Sequence, residues 1–224
     1  MTDFTLQRLN MVESQVRPSD ITDRRIIKAM LEVPREAFVP DELGPIAYLD
    51  GAVPVQTRPA GSTEGRYLLP PRTLAKLIQL ANVGPQSVAL DVGCATGYST
   101  VVLARLAHRV VALECEPALA REAERQLREL SPGNTRLIEG PLGEGAPAEA
   151  PFDAILLNGA VAEVAPPLLE QLGEGGRLVA MLHEGPLCRA YIWQRSGKTI
   201  DRQPAFEGAA NRLPGFELPA SFVF

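Results

Sequence analysis

The feature that most constrains the fold is a short apolar run followed at once by a glycine-rich turn and a helical pattern. Residues 88–92 read Val-Ala-Leu-Asp-Val, residues 93–97 read Gly-Cys-Ala-Thr-Gly, and Val101, Val102 and Ala104 then form an apolar stripe. A run this short and this apolar is typical of a strand buried on both faces of a parallel sheet. The pattern therefore predicts a strand, a tight turn and a helix, which together open a βαβ unit.

Short apolar runs continue to alternate with helical patterns along the chain. Further strands are expected at residues 110–113, 135–139, 152–157 and 177–181, with another candidate at 191–193. Helices are expected over residues 117–130 and from Pro166 or Pro167 to Leu172, whereas the tail after Pro204 is ambiguous. Strands that alternate with helices predict an α/β fold with a doubly wound, mostly parallel sheet.

The chain before this sheet carries helical patterns that prolines interrupt. We expect a division near Gly84-Pro85, with a helical N-terminal region and substrate-side loop in residues 1–87 and a sheet domain in residues 88–224. Helices are expected up to Pro18, from Thr22 or Asp23 to a point before Pro34, and after Pro70-Pro71. Between Pro34 and Pro70 no element is clear, and the prolines there predict a loop of the kind that can lie over a site.

Charge balance and cysteine content limit the partners and the compartment. The chain has 22 Lys and Arg residues and 27 Asp and Glu residues, which gives a net charge of −5. Because the basic residues are scattered among acids, we expect no nucleic-acid partner.

The three cysteines, Cys94, Cys115 and Cys188, lack the spacing of a metal site and are expected to be reduced. Without a signal peptide or an apolar stretch of about 18 residues, the sequence predicts a cytoplasmic protein without membrane contact.

The predicted sheet places a set of candidate binding residues along one edge. In a doubly wound sheet the ligand lies at the carboxyl ends of the strands. Gly93 and Gly97 allow a tight turn and a close approach to that ligand. Glu114 follows Gly93 by 21 residues, close to the spacing of about 20 at which an acid binds ribose hydroxyls. The predicted binding residues are Asp91, Gly93, Cys94, Ala95, Gly97, Glu114, Cys115, Pro141, Leu142 and Asn158.

These residues predict a ligand that contains adenosine, and the sequence of the glycine turn indicates which adenosine cofactor it is. A dinucleotide-binding turn needs glycine at three positions, which are occupied here by Gly93, Ala95 and Tyr98. A pyrophosphate would therefore meet side chains where it needs bare backbone, so NAD and FAD fit poorly. S-adenosylmethionine has a ribose, no pyrophosphate and an ammonium group that Asp91 could hold, and it is the expected cofactor. The alternative is a turn and a glutamate that serve only sheet packing.

Three motifs resemble those of one enzyme family. They are Val-Pro-Arg-Glu-x-Phe-Val-Pro at residues 33–40, Leu-Asp-Val-Gly-x-x-x-Gly-Tyr at residues 90–98 and Ala-Pro-Phe-Asp-x-Ile at residues 150–155. They make the chain similar to the protein-L-isoaspartate O-methyltransferases over most of residues 10–182. The resemblance implies a Rossmann-like fold of the class I methyltransferase type. It also implies an enzyme of protein repair that uses S-adenosylmethionine to esterify the abnormal carboxylate of isoaspartyl residues in damaged proteins.

Two positions depart from the family pattern. The family has a serine before the helix that leads into the first strand, and Leu69 stands at that position, so the catalytic residue is unknown. The family acid that faces the adenine is replaced in the segment Pro141-Leu142. By the same resemblance Tyr67, Leu68 and Leu69 are expected on the substrate side.

The departures affect the predicted substrate more than the predicted cofactor. His183, which follows a predicted strand, is a further candidate on the substrate side. Leu69 would place apolar surface beside the acceptor carboxylate, so we expect low or no turnover of isoaspartyl peptides. The alternative function is a cofactor-binding relative without repair activity, which acts as a sensor or partner protein or on a different substrate.

Overall fold

The structure is a computed structural model that describes residues 3–56, 65–185 and 187–216. Its strands are β1 (Val53–Gln56), β2 (Arg66–Leu68), β3 (Val88–Val92), β4 (Arg109–Glu114), β5 (Thr135–Glu139), β6 (Phe152–Val161), β7 (Leu172–Glu184), β8 (Leu187–Ser196) and β9 (Thr199–Glu207). Its α-helices are α1 (Phe4–Met11), α2 (Arg24–Glu32), α3 (Pro71–Ala81), α4 (Tyr98–Ala104), α5 (Pro117–Leu130) and α6 (Pro166–Glu170).

Strands β3 to β9 form one sheet in the part of the chain that the structure describes, in the order β5-β4-β3-β6-β7-β8-β9. The five strands β5, β4, β3, β6 and β7 are parallel to their neighbours in this order. Strands β8 and β9 extend the sheet beyond β7 as antiparallel strands. The prediction of an α/β fold with a mostly parallel sheet is confirmed. The strand order reverses at β3, which has β4 on one side and β6 on the other, and a crevice opens at such a reversal.

Buried side chains cover both faces of this sheet. Ala89 belongs to a large apolar cluster that includes residues of α2, α3 and α4, whereas Leu90 belongs to a second cluster on the other face. The alternation arises because successive side chains of a strand point to opposite faces. The second cluster also contains Leu213 and Phe216, which follow β9 in the chain. The division near residue 87 stays a prediction.

The N-terminal region contains more regular structure than its prolines suggest. The first and second predicted helices are present, and α1 continues as a π-helix over Val12–Val16. The prediction of a loop between Pro34 and Pro70 is wrong, because 3₁₀ helices cover Arg35–Phe38 and Asp41–Ile46 and β1 pairs antiparallel with β2. Pro34 and Pro40 stand just before these 3₁₀ helices, where a missing amide costs little. Residues 57–64 of that predicted loop lie outside the described residues.

The C-terminal part adds a hairpin and a returning segment. The candidate strand at 191–193 is confirmed within the longer β8, and β9 is an additional strand that pairs with it. The helix before β7 ends at Glu170, and β7 begins at Leu172. After β9 the chain returns to the end of β6, where the Ala160 amide donates to Asn211 O and the Leu213 amide to Ala160 O, both at 2.8 Å. No helix of the described residues is long and apolar enough to cross a membrane.

Candidate functional site

The turn after β3 is the backbone of the candidate site. Gly93, Ala95 and Gly97 have φ values of 74°, 53° and 95°. The Gly93 amide donates to Leu113 O of β4 at 2.8 Å. Ala95 is in a region that costs an L-residue about 1 kcal/mol or more, and its amide is held by Glu114 Oε2 at 2.7 Å. The turn and Glu114 therefore form one hydrogen-bonded unit.

Glu114 lies at the carboxyl end of β4 and is fully buried. Its Oε1 accepts hydrogen bonds from the amides of Cys115 and Glu116 at 2.9 and 3.1 Å, besides the Ala95 bond to Oε2. Arg66 of β2 binds the same carboxylate with both terminal nitrogens, Nη1 to Oε1 at 2.5 Å and Nη2 to Oε2 at 2.7 Å. The acid expected to bind ribose is thus held in a bidentate pair by an arginine of this chain.

Arg66 is a site residue that the sequence did not reveal. Its side chain is 8% exposed, and its Nη2 also donates to Gly93 O at 3.2 Å. Burial acts to lower the pKa of Arg66, but the hydrogen bonds and the charge of Glu114 outweigh it and the pKa is raised. The two residues are 48 positions apart, and a lone arginine has no periodicity, so only the fold brings them together.

Asp91 lies inside β3 and is linked to the end of β6. Its Oδ2 accepts from Ser99 Oγ at 2.6 Å and Thr100 Oγ1 at 2.7 Å, and Asn158 Nδ2 donates to the same Ser99 Oγ at 2.6 Å. Burial, with a smaller effect of the Glu114 charge, raises the pKa of Asp91 to about 6, although the two hydroxyl bonds oppose this. Its Oδ1 is buried without a hydrogen-bond partner among the described residues, as an acceptor awaiting an ammonium group would be.

The remaining residues predicted to bind cofactor lie around the turn. Cys94 is fully buried and Cys115 half-buried, and burial raises the pKa of both thiols, which disfavours a nucleophilic role. Pro141 is exposed and precedes a 3₁₀ turn over Leu142–Glu144. Leu142 is buried, and its Cδ1 would lie 3.4 Å from a Cβ built on Gly93.

The predicted substrate-side residues differ in exposure. Leu68 and Leu69 are buried in the large apolar cluster, and Tyr67 is half-buried. Leu69 O accepts a hydrogen bond from Nη2 of the fully buried Arg35 at 2.7 Å. His183 is half-buried on β7, in register with Cys188 of β8. The backbone carbonyl of Leu69 therefore anchors this segment through Arg35, while the apolar side chain of Leu69 packs in the core.

The C-terminal segment, residues 208–216, covers the glycine turn. Leu213 is 4% exposed. A Cβ built on Gly93 would lie 2.8 Å from Leu213 Cδ2, and one built on Gly159 would lie 2.6 Å from Leu213 Cγ. Leu213 therefore packs on bare backbone at the ends of β3 and β6. In this conformation an adenosine cofactor does not fit the predicted site, because Arg66 binds Glu114, the acid predicted to bind ribose, and Leu213 fills the space beside Gly93.

Comparisons of the sequence with known proteins identify the family to which the chain belongs. A family model described as Protein-L-isoaspartate(D-aspartate) O-methyltransferase (PCMT) matches residues 7–201. The chain is 35% identical over 202 residues to the Protein-L-isoaspartate O-methyltransferase of Koribacter versatilis (strain Ellin345), which covers 90% of this chain and 88% of that protein. It is 39% identical over 173 residues to Protein-L-isoaspartate O-methyltransferase 2 of Anaeromyxobacter sp. (strain Fw109-5), over 77% of this chain and 68% of that protein.

Two solved structures share the fold. A protein-L-isoaspartate O-methyltransferase superposes with a TM-score of 0.79 at 22% identity, over 93% of this chain and 67% of that chain. A putative protein-L-isoaspartate O-methyltransferase from Plasmodium falciparum, in complex with S-adenosyl-L-homocysteine, superposes with a TM-score of 0.77 at 23% identity, over 96% of this chain and 100% of that chain. The resemblance carried by the motifs is confirmed, and the chain belongs to the protein-L-isoaspartate(D-aspartate) O-methyltransferase family.

Proposed function

We propose that this chain transfers a methyl group from S-adenosyl-L-methionine to the carboxylate of isoaspartyl residues in proteins. Family membership supports the reaction and the cofactor, and the Plasmodium falciparum relative holds the demethylated form of that cofactor. The observation that carries the proposal is the meeting of Asp91, the Gly93–Gly97 turn and Glu114 at the carboxyl edge of the sheet. Nothing in the comparisons favours the alternative of a relative without repair activity.

The reaction asks for positioning rather than for proton transfer. A carboxylate is already a nucleophile at neutral pH, so its methylation needs an in-line approach and removal of its hydration, but no general base. S-adenosyl-L-methionine supplies the activated methyl group when bound. The absence of a serine hydroxyl at Leu69 therefore removes a possible orienting donor, and the chemistry does not depend on it as an acid or base.

Buried polar contacts hold the segment that we propose to face the substrate. Arg35 donates from Nε to Ala47 O and from Nη2 to Leu69 O, both at 2.7 Å, and its guanidinium lies 4.8 Å from the centre of the Tyr98 ring. Tyr98 opens α4 directly after the glycine turn. Arg35 thus couples the segment ending at Leu69 to the element that follows the turn, which would keep acceptor and cofactor in register.

The test is transfer of a labelled methyl group to an isoaspartyl peptide, with the same peptide carrying normal aspartate as the control substrate. We expect label on the isoaspartyl peptide alone, and loss of labelling and of S-adenosyl-L-homocysteine binding in Glu114→Gln. Glu149→Gln is the matched control, because Glu149 is also a little-exposed acid paired with arginine but lies away from the turn. Equal labelling of both peptides, or full cofactor affinity in Glu114→Gln, would contradict the proposal.

The proposed setting follows from the substrate. Proteins with isoaspartyl residues are the partners, and we propose that the chain meets them in the cytoplasm without a nucleic-acid partner. The free thiols of Cys94, Cys115 and Cys188 suit a reducing compartment. Fractionation of cells that express the tagged chain would test the compartment, and recovery outside the cytoplasm would contradict it.

A further inference from the structure

We propose that Arg66 and the C-terminal segment, residues 208–216, form an internal plug that competes with the cofactor for Glu114 and for the glycine turn. The proposal rests on the proposed function, because it takes S-adenosyl-L-methionine as the competitor. It adds that the conformation described here is a closed state, and that the plug must leave before the cofactor can bind.

The hydrogen-bond capacity of Glu114 is the first argument. An ionised carboxylate has about four lone-pair positions. Here Oε1 accepts from Arg66 and from the amides of Cys115 and Glu116, and Oε2 accepts from Arg66 and the Ala95 amide. These donors saturate the carboxylate, which is also fully buried. Ribose hydroxyls can reach Glu114 only if Arg66 withdraws, since the amides belong to the backbone of the glycine turn and of the residues directly after β4.

Steric occupation by Leu213 is the second argument. The turn has glycine at position 93, and glycine allows a ligand to approach the backbone closely. Leu213 uses this opening, because a Cβ on Gly93 would lie only 2.8 Å from Leu213 Cδ2. Hydrogen bonds of Asn211 O and the Leu213 amide to Ala160 fix the segment at the end of β6.

Arg66 and Leu213 act at the same place. A Cβ on Gly93 would also lie 3.4 Å from Arg66 Nη2, which donates to Gly93 O. Further contacts hold the segment upstream, where Thr73 Oγ1 donates to Ala209 O at 3.3 Å and the Gly208 amide to Cys188 O at 3.0 Å. When only a fraction of the protein is open, the observed affinity is reduced by that fraction. Weakening either contact should therefore tighten cofactor binding.

The test is calorimetric titration of S-adenosyl-L-homocysteine into the full chain and two variants. Arg66→Gln removes the charge and the bidentate pair but leaves Glu114 its backbone donors, and we expect a Kd lower by about tenfold, as for a site freed from an internal competitor. Leu213→Ala should lower the Kd in the same direction. Arg109→Gln breaks a different ion pair, with Glu149, and should leave the Kd unchanged. Thermal unfolding would verify that each variant folds.

Hydrogen exchange gives an independent readout in the unmodified protein. Saturating S-adenosyl-L-homocysteine should speed exchange of the Leu213 and Ala160 amides, because the bonds at the end of β6 open when the segment leaves. Unchanged or weaker binding by Arg66→Gln, or greater protection of these amides with ligand, would overturn the plug while the proposed function stands. Failure of every variant and of the unmodified chain to bind would contradict both.

Discussion

The burial of Asp91 makes the stability of the protein depend on pH. It is fully buried, with one oxygen bonded to two hydroxyls and the other without a hydrogen-bond partner among the described residues. Burial raises its pKa from 3.8 to about 6. Between these values the native state holds a proton that the unfolded chain has released, so the unfolding free energy must fall as pH rises through this window.

This gives a prediction for Asp91→Asn. The free energy of unfolding of the unmodified chain, measured relative to Asp91→Asn, should fall by about 2 kcal/mol between pH 4 and pH 6 and level off above pH 7. The fall is less than the roughly 1.4 kcal/mol per pH unit of a full proton difference, because the carboxyl is half-titrated in the unfolded state near pH 4 and in the native state near pH 6. Urea unfolding of both proteins from pH 4 to 7.5 measures the difference, in which titrations common to both cancel. A pH-independent difference would show that Asp91 keeps an ordinary pKa.

A second prediction concerns the acceptor side. Leu69→Ser should raise kcat/KM for isoaspartyl peptides by about 10- to 150-fold, since a hydrogen bond to a charged group is worth roughly 1.5 to 3 kcal/mol, and should leave S-adenosyl-L-homocysteine affinity unchanged. Leu68→Ser is the matched control, because both leucines are buried to the same degree, at 2% and 3% exposure. High activity of the unmodified chain would show that another donor already orients the carboxylate. Equal gains in both variants would show that the effect does not depend on a hydroxyl at position 69.

Local patterns revealed part of the candidate site, and long-range contacts supplied the rest. The spacing from Gly93 to Glu114 predicts that they meet, and they do so through the Ala95 amide. Spacing could not predict Arg66 or Leu213, because both reach the turn from distant segments and neither belongs to a periodic pattern. The assignment of the predicted residues to cofactor and substrate stays a prediction.

At the scale of elements, Arg35 explains why the short 3₁₀ helices within residues 35–46 are stable although the local sequence does not predict them. It begins a 3₁₀ helix, bonds the carbonyls of Ala47 and Leu69 and stacks on Tyr98 of α4. The planar guanidinium makes these contacts in different directions at once, which a lysine ammonium cannot reproduce. The structure of residues 35–46 thus depends on tertiary contacts, which is why its prolines alone indicated a loop.

Arg35→Lys should therefore lower the free energy of unfolding by about 2 kcal/mol, the cost of leaving one buried carbonyl unpaired. Arg105→Lys is the control, because Arg105 also donates to a backbone carbonyl, that of Leu130, but its side chain is 25% exposed and water can replace the bond. We expect a change below about 0.5 kcal/mol there. Equal losses in urea unfolding would refute the special role of Arg35.

Unlike the segment around Arg35, the β8–β9 hairpin has a local sequence signal, which lies in its turn. Ser196 pairs with Thr199 across Gly197-Lys198, and Gly197 has φ of 58°, as a two-residue hairpin turn requires. Strand β9 is mostly exposed and has no apolar alternation. The turn was therefore readable from the sequence, whereas the strand that follows it was not.

At the scale of the whole molecule, stability should decrease from the middle of the sheet to its edge. Strand β3 has strands on both sides and packs against an apolar cluster on each face. Strand β9 is an edge strand, bonded to β8 alone among the described strands, and most of its residues are exposed. Amides open by local fluctuation where few apolar contacts are lost, and by global unfolding where many are lost.

Native-state hydrogen exchange tests this gradient. Amides of the central strand β3 should exchange only through global unfolding, with the full denaturant dependence of the unfolding transition. Amides of β9 should exchange through local opening, with protection lower by about a hundredfold, or roughly 2.7 kcal/mol, and with little dependence on denaturant. The reason is that β9 can separate from β8 without exposing Ala89 or Leu90, whereas β3 cannot. Protection of β9 equal to that of β3 would instead make the hairpin part of the cooperative core, and the C-terminal segment that follows it would then be anchored too firmly to leave the glycine turn by local opening.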